Sequence, residues 1–453
     1  MSLKGEKMLE GLRNSFWFSA LLVVGSFAAF FYALFAVVPY LAIFLTANFL
    51  FVYVAVVYLL KFWEKGEQKL SNKFPSASVI IPCYNSAKTI EKCVESVFAL
   101  EYPRKLQVVI VDDASTDATK QKLLQLKKRF PSLEIMRHPR NQGKARSLNL
   151  ALTKAKGEIV ACIDSDTYPA RDSLKRMVRL FNDKQVGAVT ALVCVEKPKN
   201  FVQKIQEIEY YVAFGFWHTA LAELDGLIVT PGPMSVYSAA ALKKIGGFDE
   251  DNITEDMEIA LHLQSAGYKI RLTTDAVVRT DVPDSWGKLF SQRLRWLRGK
   301  IFNGRKYSHM LFNSKYGDFG RFVYPISFAV ELFGVVVASR ILFLHGGNFV
   351  NDLLGAIGVA QVDASLVTNL GIYSGAIINS SVFFFLFTIM VWLYIVWISF
   401  GIAKQKINVW HVPPMVVFMT LYSMFISFVY FSGMVHEIIG TERRWENKAR
   451  VKA

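Results

Sequence analysis

Asp164 and Asp166 stand two residues apart at the close of the apolar run 158–164. If the chain stays extended there, both carboxylates face the same way. Hard oxygen donors so placed suit Mg2+ or Mn2+ beside a diphosphate. Asp-x-Asp alone usually marks a solvated turn; its position after a buried strand weighs for a metal-nucleotide site. Asp112 and Asp113 close a second run, 106–112, where acids either accept hydrogen bonds from a base or ribose or belong to a helix start capped by Ser115, Thr116 or Asp117; both readings can hold at once. Lys144, after Gly143, either pairs with phosphate or is simply solvated. Thr254-Glu255-Asp256 opens a helical pattern with Thr254 as a natural N-cap and Asp256 in the first turn. The helix dipole there suits an ionised carboxylate that takes a hydroxyl proton, although acids favour first turns in any helix.

Gln292, Arg295 and Trp296 lie on a further helix, on which Trp286, Phe290, Leu294, Leu297 and Ile301 recur as one apolar stripe. Gln292 and Arg295 point away from the stripe. The pattern reads as an interfacial helix, apolar side in the bilayer and polar side toward a catalytic domain. Arginine there suits diphosphate, and tryptophan suits stacking on a sugar or anchoring at headgroups. A surface helix without catalytic duty accounts for the stripe but not for the polar pair.

Positioning these residues requires strands that end beside one another. Short apolar runs at 78–83, 106–112, 158–164 and 186–196 alternate with helical patterns at 87–99, 118–129 and 144–155. Buried parallel strands crossed by helices imply an α/β sheet. In such sheets ligands sit beyond the carboxyl ends of the strands, where Cys83-Tyr84-Asn85, Asp112-Asp113 and Asp164-Ser165-Asp166 fall. The acidic clusters, Asp256 included, are expected to meet around one divalent cation. The first βα turn lacks the glycines of a dinucleotide site, and no phosphate-loop Gly-Lys-Ser/Thr is present, which disfavours a dehydrogenase and an NTPase.

The surrounding chain is oily. Of 453 residues 53% are hydrophobic, the mean hydropathy is +0.29, and residues 16–60 hold no charge at all. That stretch suits two membrane helices broken near Pro39, and further apolar stretches cover 323–344, 377–403 and 412–439. The expected organisation is a transmembrane hairpin at 1–70, a cytoplasmic catalytic domain at 71–285, interfacial helices at 286–320, transmembrane helices at 321–440 and a basic cytoplasmic tail at 441–453. The net charge of +15 comes from lysines and arginines crowding the membrane flanks, which fits the positive-inside rule and anionic headgroups rather than nucleic acid. The chain is expected to be multi-pass in the cell (plasma) membrane. Five spans and six remain open, the sixth being a pass within 353–378 that brings the tail inside. Glu331, within a predicted span, either lines a conduit or pairs with Arg340 or another helix. The four cysteines lack metal-ligand spacing and read as reduced thiols.

Taken in order, these motifs resemble the membrane-integrated inverting family-2 glycosyltransferases, especially hyaluronan, chitin-oligosaccharide and poly-N-acetylglucosamine synthases. The resemblance spans about residues 75–300. It implies a GT-A fold, a metal-dependent inverting hexosyltransferase, a nucleotide-sugar donor with UDP as the expected nucleotide, and a saccharide or lipid acceptor. It implies that Tyr84, Asn85, Asp113 and Lys144 contact the nucleotide, that Asp164 holds nucleotide-sugar and Asp166 the metal, and that Asp256, beside Glu255, is the general base. Gln292, Arg295 and Trp296 complete the diphosphate and acceptor site. Gly232-Pro233 resembles the acceptor-side Gly-Pro segment of the hyaluronan-type enzymes, and Arg444-Trp445 resembles their C-terminal gating segment, with Glu446-Asn447-Lys448-Ala449 departing from its usual spacing. Two products follow from the family: an extended polysaccharide, passed across the membrane or not, or one sugar placed on a lipid.

Overall fold

The structure, a computed structural model, describes residues 70–329 and 380–441. The predicted N-terminal hairpin, Glu331 with Arg340, the proposed pass within 353–378 and the tail with Arg444 and Trp445 lie outside the described residues.

Eight strands form one sheet in the order β3-β2-β1-β4-β7-β6-β8-β5. Strands β1 (Ala77–Cys83), β2 (Gln107–Asp112), β3 (Leu133–Arg137) and β4 (Ile159–Cys162) run parallel. Helices α1 (Ile90–Phe98), α2 (Thr119–Arg129) and α3 (Lys144–Leu152) connect them. Alternation decides which face each strand residue serves. Val79 and Ile81 pack with α1 and α2, whereas Ile80 between them packs with Leu148 of α3 on the opposite face.

The other half of the sheet departs from the all-parallel expectation. β5 (Thr167–Pro169) is antiparallel to β8 (Lys269–Thr280), and β7 (Ser235–Ser238) is inserted antiparallel between β4 and β6 (Val186–Val195). β6 and β8 are parallel. The alternating burial of β8 explains why it escapes an apolar-run reading: lysine, arginine and threonine fill its outward positions.

Around this sheet stand α4 (Ser173–Val178), α5 (Phe201–Tyr210), α6 (His218–Glu223), α7 (Ala239–Ile245), α8 (Glu255–Ser265) and α9 (Trp286–Lys306). The apolar helices are α10 (Ser380–Ile402), α11 (Val412–Met419) and α12 (Leu421–Ile439). Among the described residues one helix, α12, is long and apolar enough to cross a membrane. The stretch 412–439, read as one span, is broken at Thr420. The Thr420 hydroxyl donates to the Val416 carbonyl at 2.7 Å, a back-bond of the kind that bends helices.

The apolar stripe of α9 meets protein. Trp286 and Phe290 pack edge-on against Phe425, Phe290 also reaches Phe428, and Leu294 and Leu297 crowd Gly433, all on α12. The stripe was expected to face lipid; an apolar helix supplies the same solvent. Contacts advance in step along both helices, so α9 and α12 run in the same direction. At their far ends Arg298 pairs with Glu437 at 2.9 Å, Arg305 approaches the same carboxylate at 3.6 Å, and Arg298 donates to the Thr441 carbonyl.

Candidate active site

The cleft opens at the carboxyl ends of β1, β2 and β4, where the chain must leave the sheet. It encloses about 260 Å³ and is lined by Tyr84, Asp113, Asn141, Gly143, Lys144, Ser147, Asp164, Ser165, Asp166, Gln292 and Arg295. Asp113 carries a loop: it accepts from the Gln142 amide at 2.8 Å and the Gly143 amide at 2.7 Å. Gly143 sits at φ +96°, which an L side chain resists, and it delivers Lys144 to the first turn of α3. Burial holds the Asp113 carboxyl above its ordinary value, and the two amides offset part of that rise. Asn85 is exposed, outside the cleft lining, and its side-chain oxygen accepts from the Thr116 amide, the Thr116 hydroxyl and the Asp117 amide. Asn85 thus holds the 116–117 loop and is not among the residues lining the cleft where its nucleotide contact was expected. The N-cap position of α2 is Ala118, without a side-chain cap bond; of the three candidates Asp117 comes nearest, accepting from the Thr119 amide at 2.9 Å.

Asp164, Ser165 and Asp166 are not extended as the sequence suggested. The Thr167 amide donates to the Asp164 carbonyl at 3.1 Å, closing a turn that starts β5. Both carboxylates still line the cleft. Burial first, then the charges of Asp164 and Asp281, push the Asp166 carboxyl up to about 7. Lys144 pulls the other way, but burial and the neighbouring acids outweigh it. No cluster of three or more metal-type ligands occurs among the described residues. Oxygen donors from Asp166 and Asp164, in a negative field and beside a cleft sized for phosphates, fit a hard divalent cation of the kind that takes one or two carboxylates and completes its shell with water and substrate.

Lys144 is the hinge of the electrostatics. Its Nζ lies 2.5 Å from Asp164 and 2.8 Å from Glu255. Burial alone lowers its pKa; the carboxylates of Asp164, Glu255 and Asp256 outweigh this and hold it well above the ordinary lysine value. Glu255 is 3% exposed. Burial opposes its ionisation, and Lys144 and Arg295 more than compensate, holding it below the usual range. Glu255 thus anchors Lys144, and with Asp256 it also lines a small recess beside the cleft.

Asp256 has a different setting. It opens into a small recess of about 10 Å³ shared with Thr230, Pro231, Gly232, Tyr237 and Phe248. Burial, then the Glu255 charge, push its carboxyl up to about 6, against the pull of Lys144 and Arg295. Asp166 and Asp256 do not line one cavity, contrary to the expectation of acids gathered around a single cation. The Lys144–Asp164 pair is the wall common to both spaces. Gly232 stands against that wall: its carbonyl accepts from the Asp164 amide at 3.2 Å, and a Cβ on it would collide with Asp164 Oδ2 and Lys144 Nζ. Pro233 leads into β7 and lines neither space. Thr254 occupies the N-cap position of α8 without making a cap bond. Its hydroxyl instead donates to Asn252 at 3.2 Å and accepts from Asn303 of α9 at 3.1 Å. Arg295 donates to the Ile253 carbonyl at 3.2 Å, so α9 is tied to the start of α8 at two points. Trp296 lies outside both linings, its ring covered by the Arg293 guanidinium at 4.1 Å.

Sequence reasoning missed Asn141, Ser147 and Arg293. Ser147 is one helical turn from Lys144, and its buried hydroxyl has no partner although it lines the cleft.

Residues 78–246 match the protein family described as Glycosyl transferase family 2. Two curated relatives are poly-beta-1,6-N-acetyl-D-glucosamine synthases. That of Staphylococcus epidermidis is 32% identical over 227 residues, 49% of this chain and 54% of the relative. That of Staphylococcus aureus (strain COL) is 30% identical over 223 residues, 49% of this chain and 53% of the relative. The chain spans about half the length of the curated relatives it matches. A solved mannosyltransferase from Pyrobaculum calidifontis, in complex with GDP-Man and Mn2+, superposes with a TM-score of 0.57 at 22% identity, covering 88% of this chain and all of that one. The likeness is one of fold: the family 2 domain here is a GT-A-like α/β unit with a mixed sheet.

Proposed function

We propose that this chain is a membrane-bound inverting glycosyltransferase. In this reading it takes a hexosyl or N-acetylhexosaminyl group from a nucleotide-sugar, UDP-linked in the first instance, and extends a polysaccharide. The observation that carries the proposal is Asp256, a carboxyl raised to about 6 and placed one wall away from a phosphate-sized cleft holding Lys144 and Arg295.

The acceptor hydroxyl enters beside Gly232 and gives its proton to the Asp256 carboxylate. Its oxygen bonds to the anomeric carbon as the bond from that carbon to the diphosphate oxygen breaks on the opposite face. An α-linked donor therefore yields a β-linkage, with no glycosyl-enzyme on the way. Lys144 and Arg295 are the cations placed to favour the negative charge growing on the leaving nucleoside diphosphate, and the unpartnered Ser147 hydroxyl is free to bond the donor. Asp166 with Asp164 would hold Mg2+ or Mn2+, which neutralises diphosphate when bound. The reaction requires the Lys144–Asp164 wall between the two spaces to open, as it would if Lys144 turned from its carboxylates to a donor phosphate.

The multi-pass placement, with the family 2 domain at the cytoplasmic face, is part of the same proposal, supported by the apolar stretches and by exposed Val409, Trp410, Phe428 and Ile438. Purified chain given UDP- and GDP-sugars with Mg2+ or Mn2+, read for nucleotide release and product mass, tests it. A ladder of sugar additions supports polymer synthesis, and a single sugar on lipid replaces the acceptor half of the proposal. Absence of any transfer with every donor refutes it.

A further inference from the structure

Arg293 stands between Gln292 and Leu294 and is only 5% exposed. Leu289 and Leu297, one turn to either side, are buried with it, so Arg293 occupies the packed face of α9. A leucine or methionine there would continue the face without the cost of burying a cation, and its Nε is buried without a partner. Its other contacts explain the charge. Nη1 donates to Gln292 Oε1 at 2.6 Å, fixing the carboxamide of a cleft residue. The guanidinium carbon lies over the Trp296 ring, 4.1 Å from its centroid. Nη2 meets Glu209 of α5 at 2.6 Å, and that same carboxylate oxygen accepts from the Tyr422 hydroxyl of α12 at 2.8 Å. α5 is itself fastened to the segment leading into α9, since Gln203 donates to the Val282 carbonyl at 3.1 Å and Gln206 to the Pro283 carbonyl at 2.8 Å.

We infer that Arg293 is a positioning residue: it sets Gln292 for the donor diphosphate, Trp296 backs its guanidinium from outside the cleft, and Glu209 with Tyr422 makes that setting depend on the seating of α12. The inference rests on the cleft being a donor site. Arg293 touches no reacting atom; its effect passes through Gln292, and Trp296 acts through Arg293.

The test uses purified full chain with Arg293→Lys, which keeps a positive charge before Glu209 but loses the planar fork and the flat face over tryptophan. The expected result is an unchanged melting temperature, a donor KM raised about fivefold through Gln292, and a transfer rate lowered about tenfold while nucleotide release to water falls less, as for a misplaced positioning group. Trp296→Ala combined with Arg293→Lys gives no more loss of transfer than Arg293→Lys alone. Tyr422→Phe shows the same pattern more weakly. Hydrogen exchange across residues 289–297, measured without any donor, rises in Arg293→Lys and in Tyr422→Phe. Activity lost only in step with melting temperature, fully additive effects with Trp296→Ala, or unchanged exchange at 289–297 each overturns the inference. Wild-type chain that turns over no nucleotide-sugar defeats the enzymatic reading, whereas an active wild type with an indifferent Arg293→Lys defeats this one alone.

Discussion

Asp256 gives the sharpest prediction because two measurements must move in opposite directions. Its carboxyl lies at about 6 instead of the ordinary 3.8. As base it must be ionised, so transfer falls as pH drops through about 6. The ionised fraction is about nine-tenths at pH 7 and about one-tenth at pH 5, a tenfold loss of rate, whereas an unshifted aspartate would leave the rate flat across that interval. Glu255→Gln removes the largest neighbouring charge that raises it, so the acid limb moves below 6. Stability runs the other way. An acid whose folded pKa lies above its unfolded one costs stability that is fully present above the folded value and disappears below the unfolded value. At about 1.4 kcal/mol per unit, and discounted because the side chain is only half-buried, ionised Asp256 costs about 1–2 kcal/mol at pH 7. Asp256→Asn should therefore raise the melting temperature while lowering transfer by two orders of magnitude or more, roughly what a lost general base costs. The assay pairs a pH series of nucleotide release under saturating donor and acceptor with thermal unfolding of both proteins. A variant with wild-type transfer, or an acid limb near pH 4, refutes the reasoning.

Three other perturbations follow. Asp166 must shed its proton to ligate, so Mn2+ affinity, read calorimetrically, should rise about tenfold per pH unit below about 7 and level off above it; EDTA should abolish transfer, and Asp166→Asn should remove the pH dependence. Gly299→Ala drives a methyl into Thr254, whose Cβ it would meet at 2.8 Å, and so shifts the start of α8; despite alanine's helix preference it should destabilise the chain by about 1–3 kcal/mol and reduce transfer. Lys144→Met leaves Glu255 buried without its ion-pair partner, with only Arg295 nearby in compensation, costing about 3 kcal/mol by chemical denaturation, and adding Glu255→Gln should recover part of that loss.

Strands β1, β2, β4 and β6 were legible because they are buried on both faces and read as apolar runs. Strands β3, β7 and β8 were not: β3 is half-exposed at the sheet edge, β7 is four residues long and β8 alternates polar with apolar. Motif residues were found, but their spatial arrangement was not, since Asp164 and Asp166 depend on whether the chain turns after β4. That turn is set by pairing of β5 with β8, more than a hundred residues on in sequence. Likewise the α9 stripe announced an apolar partner without saying that helix 421–439 would be it. Arg293 did leave a trace. A charge on the Leu289–Leu297 face implies a buried acid somewhere, yet only the fold shows it to be Glu209.

The parallel pairing of α9 with α12 brings two negative helix ends side by side, and Glu437 adds a full negative charge to them, against the preference of helix termini. Arg298 and Arg305 are the counter-charges that make this tolerable. Sliding α12 away would strip Glu437 of both counter-charges, so the two rods travel as a splint. Whatever movement admits an acceptor or frees a product must run along some other seam.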